Sequence, residues 1–183
     1  VQWGRTFGIR SAAGSWKIGD LSNPATQLGQ SPLRSPSVFN YFRPGYVPPS
    51  TALAANRSVA PEFQIVNESS VGGYLNYLQG VVRNGIFVYA PDQPNIGSNA
   101  SNGYDITAAY AEELALATDA TALVKHLALL LCADQLSSTT QTLMVNALNV
   151  TPVTAASAEA TKRDRVAAAV LMVMASAEYL VQK

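Results

Sequence analysis

Ser31–Pro49 reads SPLRSPSVFNYFRPGYVPP, and its reading decides how the rest of the chain divides. Each proline fixes φ and removes a backbone donor, and the residue before it is pushed out of the α region. Pro36, Pro44, Pro48 and Pro49 therefore hold Ser35, Arg43 and Val47 in extended or turn conformations. Regular helix is excluded from most of the segment. Yet Val38, Phe39, Tyr41, Phe42 and Tyr46 carry a large apolar area, worth roughly 25 cal/mol per Å² on burial. A long irregular segment with its own aromatic rings is expected to be an ordered, packed loop clamped on a helical body.

Outward from that loop, the patterning is helical. Upstream, Trp3, Phe7 and Ile9 predict a helical turn or two, weakened by Gly4, Gly8 and Gly14. Asn23-Pro24 is a cap followed by a first-turn proline and Gly29 is a stop, so a short helix is expected over 24–28. Ser50 is placed to cap another over 51–56. Asn67 caps a stronger one, in which Val71, Tyr74, Leu75, Leu78, Val81 and Val82 share a face. Gly85 sits where a left-handed cap would end it. Gly72, Gly73 and Gly80 each weaken that helix, which suggests close approach of a second backbone, that of the proline-rich loop.

Residues 86–89 form a short apolar run with the character of a strand, but one such run cannot make a sheet. The polar stretch 90–103 is expected to be an exposed loop. Beyond it, Ile106, Ala109, Tyr110, Leu114 and Ala117 define a helical face over 105–117. Asp119 suits a helix start; that helix is expected to bury Leu123, Val124, Leu127, Leu130 and Leu131. Ser137 or Ser138 opens the next, with Leu143, Met144, Ala147 and Leu148 inward and Pro152 as its stop. Ser157 opens a final helix to about Gln182. Its apolar part, 166–181, reaches roughly 24 Å, short of a 30 Å hydrocarbon core, so a buried helix is expected and not a membrane span. The fold class is all-α: an irregular helical bundle of about five main helices with a long ordered Pro/aromatic loop. One domain is expected over 1–183, with 20–65 the Pro/aromatic loop region and 66–183 the helical body.

The 183 residues carry 12 basic and 12 acidic side chains and no net charge. Nucleic-acid binding needs clustered Lys and Arg, so it is not expected. The single cysteine, Cys132, lies in the apolar run LALLLCA and reads as a small buried hydrophobe. His126, the only histidine, sits beside core Leu127 without a metal or catalytic motif around it; Glu113 and Asp134 are not at such a spacing. It reads as a structural histidine. No nucleophile elbow, phosphate loop or dinucleotide fingerprint occurs. No catalytic residue, metal site or cofactor is therefore assigned.

The polar residues of interest are Arg34, Asn40, Arg43 and Glu62, in or beside the aromatic loop. They can satisfy backbone groups that lack ladder partners, or Arg34 or Arg43 can pair with Glu62. Alternatively Tyr41, Phe42 and Tyr46 floor a groove edged by Asn40 and Arg43, suited to a sugar, an extended peptide or another protein segment. Both readings stand at the level of sequence.

LGQSPLRSPSVFNYFRPGYVPP, with APEFQI at 60–65, resembles the C-terminal signature of a bacterial family of large proteins, domain of unknown function eighteen-hundred. LVKHLALLL at 123–131 and RVAAAVLMVMASAEYLVQK at 165–183 are similar to it too, in the right order. The resemblance carries no catalytic residue. It implies the last part of a longer protein with a periplasmic or extracellular home; a first residue other than Met agrees with a fragment or processed product. Its partners would be the rest of its own longer chain and another exported protein. The function expected is a non-enzymatic structural or protein-interaction module. The alternatives are part of a hydrolase-like active site completed by the missing N-terminal region, and a carbohydrate-binding surface.

Overall fold

A computed structural model describes residues 2–12, 14, 16–89 and 102–180. Among these the chain is mostly helical, with eight α-helices and one small three-stranded sheet. It divides into two compact units, one of residues 1–18 with 79–183 and the other of residues 19–78.

The first unit is built around α5 (Ala120–Cys132), which packs against α6 (Ser138–Asn149) and α7 (Glu159–Met174). Leu123, Val124 and Leu127 of α5 and Val166, Val170 and Val173 of α7 are sealed from solvent. Their spacing at three and four residues is the helical period, so each helix shows one continuous apolar stripe to the other. Ala128 and Ala169 are buried among them and let the backbones approach. The expected burial of Leu130, Leu143 and Ala147 is not met; all three are exposed, on faces turned away from this seam.

Caps fix where these helices begin. Asp119 accepts the N–H groups of Thr121 and Ala122 at 2.9 and 3.0 Å, and Ser137 Oγ accepts that of Thr140 at 3.1 Å. At the end of α5 the chain turns through Ala133 and Asp134, both left-handed, and the Asp134 N–H returns to the Ala128 carbonyl.

The final helix is not continuous to 182. It stops at Met174, and a short α8 (Ala177–Leu180) follows; beyond 180 the expectation lies outside the described residues. The break turns Glu178 onto the start of α6, where it accepts from the Thr140 hydroxyl at 2.7 Å and the Ser137 N–H at 3.3 Å.

The second correction is the sheet. The run Ile86–Tyr89 is β2, and it pairs antiparallel with β3 (Asn102–Thr107), which in turn pairs with β1 (Arg10–Ser11). Residues 105–107, expected as helix, are strand; the helix there is only α4 (Ala111–Ala115). Ile106 suits both periods, and the strand wins because it puts Ile106 into the core while Tyr104 faces out edge-on to Phe87, ring centroids 5.4 Å apart. The rest of the expected polar loop, 90–101, lies outside the described residues. The first helix, α1 (Gln2–Thr6), brings Trp3 and Phe7 into the core. Gly85 has φ +93°, and a Cβ there would run into the Ile106 carbonyl and lie 2.9 Å from Thr107 Cγ2. The turn from α3 (Glu68–Asn84) into β2 therefore requires glycine.

In the second unit, residues 31–50 form successive turns without helix or strand, as the prolines dictate. A short α2 (Ala52–Ala55), capped by Thr51 instead of Ser50, and a 3-10 turn (Pro61–Ile65) follow. Asn23 does cap, its Oδ1 accepting the Ala25 N–H at 2.9 Å, but 24–28 closes as a turn and not as a helix. Of the three glycines expected to admit a second backbone, only Gly73 does so. A Cβ on it would lie 2.8 Å from the Ala25 carbonyl carbon and closer still to the Pro24 carbonyl oxygen; nothing lies within 4 Å at Gly72 or Gly80. The backbone admitted is the Pro24–Ala25 turn, just before the proline-rich loop.

Gly73→Ala should lower stability by about 1–3 kcal/mol in chemical denaturation, because backbone must move. Gly72→Ala, with open space, should be neutral or stabilising by up to about 1 kcal/mol. Hydrogen bonds from Thr140, above all, and from the backbone hold the Glu178 carboxyl at about 2, below its ordinary 4.5. The unfolded chain takes up that proton first as pH falls, so the stabilisation present above 4.5 is lost on going down towards 2. Glu178→Gln should show a flatter loss of thermal stability over that acid window than the wild type.

Candidate functional site

Among the described residues, the residues singled out in the Pro/aromatic region fall into two groups. Arg34 does not meet Glu62; its guanidinium lies 3.7 Å from the Asp20 carboxylate, with both side chains largely in solvent. Asp20 is held below the usual carboxylate range by hydrogen bonds from Ser22, with Arg34 adding to this. The remaining residues gather around the 3-10 turn. The Arg43 N–H donates to Gln64 Oε1 at 2.8 Å, and the Ala60 N–H donates to the Tyr46 carbonyl at 2.9 Å. These two bonds place the turn that carries Glu62 beside Arg43 and Tyr46. The Arg43 guanidinium lies 5.9 Å from the centre of the Phe39 ring, within cation–π range. Tyr41 is fixed by its hydroxyl, which donates to the Ser31 carbonyl at 2.7 Å and accepts the Ser31 N–H at 2.8 Å. Asn40 is exposed with φ +63°, a left-handed turn position that Asn tolerates.

The rings here are not all packed. Tyr41, Phe42 and Tyr46 are half-buried, but Phe39 is 56% and Val38 96% exposed, and Leu33 is fully exposed. The expectation that Val38 and Phe39 must leave water is not met. Their turn is held by backbone bonds and by Ser37, not by burial of its side chains.

A second cluster lies in the unit built on α5, and sequence reasoning did not assemble it. Glu113 on α4 is 5% exposed, and its Oε1 lies 3.0 Å from His126 Nε2 on α5. Of its ring nitrogens, only Nε2 has a hydrogen-bond partner among the described residues. Three residues before Glu113, Tyr110 adopts a left-handed conformation at φ +53°, a strained choice for a bulky side chain. The strain is offset by what the ring reaches. Tyr110 packs against Phe7 with centroids 5.0 Å apart, accepts the Trp3 indole N–H at 2.7 Å and donates to the Val82 carbonyl at 2.9 Å. Burial, with the Glu113 charge adding to it, pushes the Tyr110 phenol up to about 12, so it stays neutral. Arg163 reaches the Ala109 carbonyl at 3.5 Å.

The arrangement at Glu113 and His126 is an imidazole held by a buried acidic side chain. The carboxylate fixes which ring nitrogen faces it, as in many proton-transfer sites. A sequence signal for it did exist: a glutamate interrupts the apolar face of Tyr110, Leu114 and Ala117. The 13-residue separation matches no motif, so the partner was not legible. Cys132 is buried and its thiol is pushed up by burial, with the Glu178 charge adding to it, which disfavours the thiolate a nucleophile needs. No group of three His, Cys, Asp or Glu that could hold a metal ion occurs among the described residues. Nor is any helix among them long and apolar enough to cross a membrane.

The family model described as protein of unknown function (DUF1800) matches residues 1–181, and the chain belongs to that family. No curated protein and no solved structure matches it.

Removing the Tyr110 hydroxyl should leave the Trp3 indole donor and the Val82 carbonyl without their partner. Tyr110→Phe should therefore cost about 1–3 kcal/mol in denaturant unfolding, with the helical circular dichroism retained.

Proposed function

We propose that the protein is a non-enzymatic interaction module of an exported bacterial protein, and that residues 19–78 carry its contact surface. One observation carries the reading. Between residues 19 and 77 no Ala, Val, Leu, Ile, Phe or Tyr side chain is fully buried, while Leu33, Val38, Phe39, Val59, Phe63, Val66 and Val71 are exposed. An apolar surface of that kind is the mark of a contact partner, here a polypeptide segment, which would also engage Arg43 and Tyr46. The partner suggested is a further stretch of the same longer protein or a second exported protein. Export rests on the family resemblance.

The test is photo-crosslinking in cells that make the full natural chain, with benzoylphenylalanine at positions 33 and 39 and, as a control, at exposed Leu143 of α6. Adducts at 33 and 39 that map to one reproducible peptide, with none at 143, are expected. Absence of such adducts at both positions overturns the reading.

A second reading, a share in a hydrolase-like active site completed by another part of the protein, is favoured by the Glu113–His126 pair. It requires turnover of a hydrolase substrate by the full natural chain that is lost in Glu113→Gln and His126→Gln alike.

A further inference from the structure

Among the described residues, one charged side chain is buried with no charge to meet it. Arg165, at the middle of α7, is only 6% exposed. A guanidinium is a cation with five N–H donors and no acceptor. The neighbours of Arg165 along the helix are Val166, Ala167 and Ala169, all buried. The single hydrogen bond it makes runs from Nη2 to Asn149 Oδ1, at 2.8 Å. Nε is buried with no partner at all, the one such side-chain atom among the described residues. The ion pairs Asp20–Arg34, Arg83–Asp164, Glu113–His126 and Glu159–Lys162 all leave Arg165 out.

A buried guanidinium facing a neutral amide is energetically incomplete. Removing an ion from water costs several kcal/mol unless a counter-charge and hydrogen bonds make up for it. Asn149 is the last residue of α6, so the negative end of that helix supplies part of the compensation. A helix end is a diffuse half-charge, however, and it gives Nε no acceptor. Nε–H and the adjacent Nη2–H form the two-pronged edge that a planar pair of oxygens matches. Here one prong meets an amide oxygen and the other meets nothing. Asn149 itself is exposed, so its amide can swing aside and uncover the fork without disturbing the core.

We propose that Arg165 is the anchor of an oxyanion site, in which two oxygens of a carboxylate or phosphate group displace the Asn149 amide and bridge Nε and Nη2. The site lies where the end of α6 meets α7. It is independent of the surface formed by residues 19–78 and of the Glu113–His126 pair, so it stands whatever becomes of the functional reading above.

The experiment is thermal unfolding of the whole chain in inorganic phosphate and, separately, in acetate, each against chloride at matched ionic strength and pH. In the wild type, phosphate or acetate should raise the melting temperature by a few degrees along a saturating curve. The anion that produces the curve identifies the source of the oxygens. Arg165→Gln should abolish the response. Should that variant fail to fold, Asn149→Asp decides, because it supplies a carboxylate in place of the amide and should also abolish the response. Superimposed curves in all three anions for the wild type would overturn the proposal. So would an anion response that persists undiminished in Arg165→Gln or Asn149→Asp, since that would mark a general salt effect.

Discussion

The contact between α5 and α7 is the constraint on which the rest depends. Leu123, Val124 and Leu127 meet Val166, Val170 and Val173 in a seam that excludes water. Each of these side chains contributes about 1.5–3 kcal/mol by leaving water. Side chains that must reach this seam set the register of the helices, and the caps at Asp119 and Ser137 set where they begin. The polar groups near the seam are then placed by the helices and not by their own preferences. Glu113 meets His126 because α4 and α5 both pack on α7, and Arg165 lies buried because its neighbours Val166 and Ala169 must be.

That hierarchy explains a cost visible in two places. Tyr110 accepts a left-handed backbone so that its ring can fill the space beside Phe7 and its hydroxyl can join Trp3 to Val82. Arg165 accepts the loss of water around a charge. In the first case the gain is two hydrogen bonds and a ring contact. In the second Nε has no acceptor to offset the loss, which is the ground for the proposed oxyanion.

Much of the helical architecture was legible because amphipathic spacing and caps are local. Asp119, Ser137 and the three-and-four spacing of α5 and α7 required no knowledge of distant partners. The sheet was illegible for the opposite reason. β3 pairs with β1 across most of a hundred residues, and nothing in Arg10–Ser11 marks it as strand. Ile106 fits a helical face as well as a strand, so periodicity misassigned it. The family was recognisable from the proline and aromatic pattern. The Glu113–His126 and Arg165–Asn149 meetings were hidden because they join side chains from different helices, and no spacing within one helix encodes them. For Val38 and Phe39 the error was to treat apolar area as a guarantee of burial within one chain; an intermolecular contact satisfies the same energetics.

The bare apolar face at Leu33, Val38 and Phe39 has a consequence for how much of the protein a cell can hold. Such a face is harmless while covered and adhesive while not. Left uncovered at high concentration, it would drive copies together into clumps, so solubility becomes a matter of concentration more than of fold.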